Sequence, residues 1–396
     1  MIYMANKPKT NFEVNGYNYF KTSLTIGHDV NGKAIKKVFY GSSKSDAEKK
    51  KREYIRDMEA GLKPKLGSQS LSQAMNTWLW DVEKNSGNKS SSFERYEGIF
   101  RNYIKECKLG VIAISEIENA AIQKYYNDLK AEGKSYSQIT NLHKLLNKFF
   151  GYAEMSGYVI KNPCKGLKIT KDDEEDLIDD ADEVIETFTK EEIKRIIDSL
   201  SKKNKIRYII LFALFTGIRQ GELLALNKED IQIDTVKINK TVKTVKVFDN
   251  KDNKKYHYEI KITKPKTKTS NREVPLPDSM KTELKRLEKL VAEEKLKLGE
   301  AYNENSLLFP SETGSYIDAK NLRRSWERVL NNAEVQKKKF HALRHTYATR
   351  LFENNTSILT VSRLLGHSSI KTTEIYTHVL EDVKKEEVQC LNDMLK

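Results

Sequence analysis

Residues 341–378, HALRHTYATRLFENNTSILTVSRLLGHSSIKTTEIYTH, gather side chains that can do chemistry together. His341 and Arg344 stand at i and i+3, so on a helix both project from one face. Ile358, Val361, Leu364 and Leu365 repeat with helical spacing, and Gly366 follows as the expected left-handed cap. That puts His367 at a corner, with Ser368 or Ser369 as N-cap of a second helix and Tyr376 about two turns into it. A guanidinium, two imidazoles and a phenol held together suit chemistry on an anion. His341 and His345, at i and i+4, have the spacing of metal ligands. However, Ala342 stands where a metalloprotease helix needs Glu, and no cysteine or acid cluster lies nearby, so no metal is expected. Residues 360–376 also have the outline of a helix-turn-helix, which would leave the His-x-x-Arg pair without a task.

Matching groups occur upstream, in TGIRQGELLAL at 216–226. Thr216-Gly217 breaks the apolar run that ends at Phe215, and Leu223, Leu224 and Leu226 begin a new helix. Arg219 then lies near a helix N-terminus, suited to gripping a phosphate, with Glu222 one turn further along. Strand-like stretches at 231–238, 241–247 and 256–262 lead into TKPKTKTSNREVPL at 263–276. A lysine at the tip of that hairpin could reach a site as a mobile acid.

These groups need a scaffold, and 396 residues exceed what one hydrophobic core usually serves. The net charge of +14, from 70 Lys and Arg against 56 acids, favours a polyanionic partner, nucleic acid above all. Cys107, Cys164 and Cys390 are odd in number and far apart, which points to a reducing cytoplasm without a disulfide framework. The longest apolar run, 208–215, is too short to cross a bilayer, and no apolar segment follows Lys7 and Lys9 as a secretory signal would.

The chain reads as three modules and an acidic join. Residues 1–64 predict a small three-stranded sheet followed by a helix. Phe20, Thr22, Leu24 and Ile26 alternate along one strand face, Asn31-Gly32 marks a hairpin turn, and a basic helix carries Lys49 to Arg52. Lys21 on this ribbon is a candidate DNA contact. Residues 65–168 predict an all-α module of four amphipathic helices, the first opened by Ser70 and Gln73. Arg95, Asn141, Lys144 and Lys148 are its candidate phosphate contacts. Residues 169–187 form a linker, since ten Asp or Glu and no Lys or Arg fall within 172–186. Thr189 and Glu192 then cap the first helix of the last module, 188–396.

Taken together, Thr216-Gly217-Ile218-Arg219-Gln220-Gly221-Glu222-Leu223, Pro265-Lys266-Thr267, His341-Ala342-Leu343-Arg344-His345-Thr346, Leu365-Gly366-His367 and Tyr376 resemble the tyrosine recombinases in order and spacing. The likeness is greatest to integrases of phages and integrative conjugative elements of Gram-positive bacteria, and it covers essentially the whole chain. It implies the multi-domain DNA breaking-rejoining fold: a sheet domain for arm-type DNA, a helical domain for core-type DNA, and a mainly α catalytic domain with a small antiparallel sheet. It also implies the roles. Tyr376 attacks a phosphodiester to form a 3′-phosphotyrosine, while Arg219 and Arg344 clamp the non-bridging oxygens. His341 orients or deprotonates the tyrosine, His367 hydrogen-bonds the phosphate, and Glu222 holds Arg219 or a neighbouring His. Lys266, with Lys264 and Lys268 as alternatives, protonates the leaving 5′-oxygen. The covalent link conserves bond energy, so no ATP, metal or other cofactor is expected. Further expectations are attachment-site DNA as substrate, a homo-tetramer on DNA, a tail beyond Tyr376 docked on a partner subunit, a directionality factor for excision, and a place on the bacterial nucleoid. A helix-turn-helix regulator and a type IB topoisomerase are the rival readings; the first would bind without a covalent adduct, the second would relax DNA without exchange.

Overall fold

The computed structural model describes residues 11–14, 17–28, 33–59, 68–87, 90–170, 186–248, 255–264 and 268–376. The chain divides into two units, Met1–Lys171 and Asp172–Lys396.

The first unit begins with β1 (Phe12–Val14), β2 (Tyr17–His28) and β3 (Ala34–Gly41), which form an antiparallel sheet in the order β1-β2-β3. Thr22 pairs with Phe39, and the register shifts between Thr25 and Gly27. The Asn31-Gly32 turn lies outside the described residues. Helix α1 (Lys44–Glu59) covers the sheet, burying Ala47 and setting Tyr54 edge-on to Phe39 at 5.3 Å. The ammonium of Lys21 sits over the Phe12 ring at 4.2 Å.

Four helices follow: α2 (Leu71–Trp78), α3 (Ser90–Tyr103), α4 (Asn119–Ala131) and α5 (Tyr136–Met155). Ser70 accepts from the Gln73 N–H, and Ser135 with Gln138 makes a complete capping box at α5. Leu71, Met75, Leu142, Leu146, Phe149 and Phe150 are buried, each apolar side chain contributing roughly 1.5–3 kcal/mol. Trp78 meets Phe149 edge-on at 5.5 Å.

This packing changes how the candidate DNA contacts read. Lys148 is engaged within the protein. Its ammonium pairs with the buried Glu83 and lies 4.9 Å from the Tyr96 ring, so it neutralises a core carboxylate. Arg95 lies over the Tyr96 ring at 5.2 Å, Asn141 is half-buried, and Lys144 is exposed.

In the second unit, the capping box of Thr189 and Glu192 opens α6 (Lys190–Asp198). Helix α7 (Lys205–Thr216) is apolar nearly all round and correspondingly buried. It ends at Gly217, whose φ of 60° suits glycine, and an added Cβ there would lie 2.2 Å from the Tyr347 ring. A single turn, α8 (Gln220–Leu223), follows. Strand β4 (Thr235–Ile238) pairs with β7 (Arg272–Pro275), and β5 (Thr241–Phe248) pairs with β6 (Tyr256–Thr263), all antiparallel. The first strand is thus shorter than 231–238 suggests, and β7 is a further strand within 263–276. Helices α9 (Asp278–Leu298), α10 (Ala319–Asn332), α11 (Ala342–Glu353) and α12 (Ile358–Leu365) complete the unit. Its core gathers Phe188, Ile196, Phe212, Val274, Trp326 and Leu343.

Past α12, no second α-helix occurs among the described residues up to Tyr376. Two 3-10 turns, Ile370–Thr372 and Glu374–Tyr376, stand in its place. Ser369 caps the first by accepting from the Lys371 N–H. A helix-turn-helix therefore lacks its recognition helix here. The apolar tail beyond Tyr376 and most of the acidic join lie outside the described residues. No helix among the described residues is long and apolar enough to cross a membrane.

Candidate active site

The site is built around the C-terminal end of α12. Gly366 ends that helix at φ 66°, a conformation glycine takes without strain, and a Cβ added there would lie 2.9 Å from the Arg272 guanidinium. A helix end leaves carbonyls without intrahelical partners. Arginines from three other elements supply them. Arg344 on α11 donates to Leu365 O at 2.6 Å and to Gly217 O at 2.8 Å. Arg272 on β7 donates to Leu364 O at 2.7 Å, and Arg219, at the start of α8, reaches Gly366 O at 3.4 Å.

Glu222 joins two of these cations. It accepts from Arg219 Nη1 at 3.1 Å, from Arg272 Nη2 at 3.0 Å, and from the Arg219 backbone N–H at 3.1 Å. Burial alone would raise its carboxyl pKa, but Arg272 and then Arg219 outweigh it and hold the group below the usual carboxylate range. Arg344 is pushed down to about 9 by burial and by Arg219 and Arg272, which still leaves it charged at neutral pH. The Arg219 side chain keeps 39 % of its surface exposed against 5 % for Glu222, so it can meet a ligand while staying anchored.

Tyr376 is buried, and burial pushes its phenol up to about 12 against the opposing pull of Arg344. The Phe352 ring lies 5.8 Å from it. Its oxygen lies 2.7 Å from Nδ1 of His345, not of His341. The expectation that His341 orients the hydroxyl directly is therefore not what the structure displays. His341 instead packs edge-on against His345, with ring centroids 4.8 Å apart. His367 places Nδ1 2.8 Å from the buried Thr373 hydroxyl. Both His341 and His367 are lowered to about 4, first by desolvation and then by neighbouring charge. At His341, an exposed residue, repulsion from His345, Arg344 and Arg219 adds to the desolvation.

Arg219, Glu222, His341, Arg344, His367 and Tyr376 thus come together from stretches far apart in the chain. Lys266 lies outside the described residues, and Lys264 is exposed. Tyr347, the tyrosine nearest Arg344 in sequence, packs over Gly217. Sequence reasoning missed Arg272 altogether and weighed His345 only as a metal ligand. Arg272 gave a faint signal, a lone arginine in the strand-like REVP after a loop. No group of three or more His, Cys, Asp or Glu suited to a metal occurs among the described residues. The arrangement can hold a phosphate-like anion between guanidiniums and bring a phenol to it.

Comparison with known proteins agrees. Residues 186–382 match the phage integrase family, and residues 70–130 match the phage integrase N-terminal SAM-like domain. A XerC-like tyrosine recombinase of Caldanaerobacter subterraneus is 44% identical over 393 residues, covering 98% of this chain and 99% of that protein. The ICEBs1 integrase of Bacillus subtilis is 24% identical over 95% of this chain and 97% of its own length. Among solved structures, the Tn1549 transposon integrase bound to transposon right end DNA superposes with TM-score 0.63 at 20% identity, covering 82% of this chain and 100% of that one. A lambda integrase dimer on a core site gives 0.55 at 16%, covering 77% and 97%. At these identities the structural likeness speaks for the fold.

Proposed function

The chain belongs to the tyrosine recombinases, which are site-specific DNA recombinases, and from that premise we propose that it integrates and excises a mobile element. Tyr376 attacks the scissile phosphate, the Tyr Oη–P bond forms, and the P–O5′ bond breaks. Arg219 and Arg344 neutralise the non-bridging oxygens as charge builds there, His367 adds a hydrogen bond, and Lys266 delivers the proton to O5′. Glu222 holds Arg219 in place. Rejoining runs the same steps backward, with a 5′-hydroxyl from the partner strand as nucleophile. The carrying observation is that Arg219 and Arg344 both donate to the helix end formed by Leu365 and Gly366, with His367 next in the chain and Tyr376 in one buried cluster with Leu365.

We assign residues 1–64 to arm-type DNA, 65–168 to core-type DNA, 169–187 to a linker and 188–396 to catalysis. The likeness to the ICEBs1 integrase and to the Tn1549 transposon integrase supports mobile-element ends as the substrate. A homo-tetramer on two sites and a directionality factor complete the reading.

The test is a nicked duplex that traps the covalent adduct, made from DNA flanking the coding region. Peptide mapping should find the adduct on Tyr376, and Tyr376→Phe should bind this DNA as the parent does without forming it. An adduct on Tyr347 would overturn the assignment.

A further inference from the structure

Among the described residues, the Tyr376 hydroxyl has one hydrogen-bond partner, Nδ1 of His345 at 2.7 Å. His345 is half-buried, one turn along α11 from His341, and its ring neighbours both the His341 ring at 4.8 Å and the Tyr376 ring at 5.8 Å. We propose that His345 is the base that takes the phenolic proton as Tyr376 attacks. The inference rests on Tyr376 being the nucleophile.

A base is needed because a phenol this deeply buried is not ionised at neutral pH. Arg344 cannot fill that role. It is a cation, and two of its N–H groups are committed to Gly217 O and Leu365 O. Among the described residues, the phenol's hydrogen bond goes to His345 and not to His341. A neutral His345 with its proton on Nε2 presents Nδ1 as the acceptor, along the line on which the hydroxyl already lies. In cleavage the Tyr Oη–P bond forms and P–O5′ breaks, the Oη proton passes to His345 Nδ1, and O5′ takes its proton from the general acid. In rejoining, His345 returns its proton to the leaving phenolic oxygen. The Phe352 ring and burial fix the phenol laterally, so His345 need only handle its hydroxyl.

The test is His345→Asn. Its side-chain oxygen stands near the position of Nδ1 and can still accept a hydrogen bond, but it is not basic. Single-turnover cleavage of the nicked duplex at saturating protein should slow by about 10²-fold or more, the scale of lost general-base catalysis, with DNA affinity unchanged. A duplex with sulfur in place of the bridging 5′-oxygen separates the two proton transfers. Its thiolate leaves unaided, so it should rescue Lys266→Ala but not His345→Asn. Cleavage by His345→Asn within about threefold of the parent would mark His345 as positioning only. Faster cleavage would make the bond a restraining latch, and rescue by sulfur would move His345 to the leaving group; each overturns the proposal. A parent protein that forms no adduct on Tyr376 would instead defeat the underlying functional reading. Should His345→Asn fail to fold, nitrogen-labelled histidine in the intact chain provides another measurement. The His345 Nδ1 resonance should move in Tyr376→Phe, and an unmoved signal would overturn the hydrogen bond itself.

Discussion

Replacing Glu222 with Gln removes the one anion that holds Arg219 and Arg272 together. The Glu222 and Arg272 side chains are only 5 % and 6 % exposed, 3.0 Å apart. Taking one partner from a buried pair costs about 3–5 kcal/mol, because the other is left charged and desolvated. Gln keeps a carbonyl that can accept one of the three bonds, so the lower end, about 3 kcal/mol, is expected. For a unit of this size that is a Tm fall of about 6–12 °C in calorimetry of the full chain. Arg219 would also lose its anchor, and single-turnover cleavage should slow about 10²-fold, the scale for one lost oxyanion donor. The carboxyl pKa is depressed in the folded chain, so its stabilisation is complete above the unfolded carboxylate pKa, about 4.3, and is lost as pH falls through the lower folded value. The stability gap between parent and variant should therefore stay constant from pH 8 to about 5 and close only in stronger acid. Adding Arg272→Met to the variant removes the stranded cation, so the pair of changes should cost about 1–3 kcal/mol less than the sum of the two singles. A Tm fall below about 2 °C, or strict additivity, would refute the shared-carboxylate argument.

Three further outcomes are expected. Gly366→Ala forces an L-residue to φ 66° with its Cβ against Arg272, which should cost about 2 kcal/mol by denaturant titration and lower cleavage; a neutral effect would mean the turn relaxes freely. His341 and His367 should stay neutral in the folded chain down to about pH 4, read as ring-proton shifts by NMR. Because the unfolded chain takes up those protons first, near 6.5, their contribution to stability should fall as pH drops from about 6.5 to about 4. Removing residues 1–64 should leave a protein that cleaves core-site DNA but recombines poorly, and equal recombination in a two-site assay would reduce that module to structural support.

Much of the site was legible because its parts follow local rules. Gly366 after a 3.6-period run announces a helix end, and Thr216-Gly217 announces another, so Arg219 and His367 could be placed beside termini. Capping pairs such as Thr189 and Glu192 marked helix starts for the same reason. What escaped notice depends on distant pairing. Arg272 meets Glu222 from 50 positions away, and His345 meets Tyr376 from 31, separations that periodicity does not see. The missing helix after Gly366 has a local cause that is visible in hindsight. Ser369 and Thr373 spend their hydroxyls on the Lys371 N–H and on His367, which favours short turns over a continuous helix.

The same helix end accounts for three guanidiniums held close together. Like charges this close should repel, and Arg344 is depressed partly by Arg219 and Arg272. The last carbonyls of α12 carry the negative end of its dipole, worth up to about half a charge, and Leu364, Leu365 and Gly366 each accept from a different arginine. Glu222 adds a full negative charge among them. The cations are therefore held by groups of the fold itself, and carbonyls do not titrate. A phosphate entering the site meets donors already oriented, and little reorganisation remains for the moment when charge builds on its oxygens. The arginine cluster is made rigid by the fold, and on the proposed mechanism the timing of cleavage falls to the phenol and the proton it must lose.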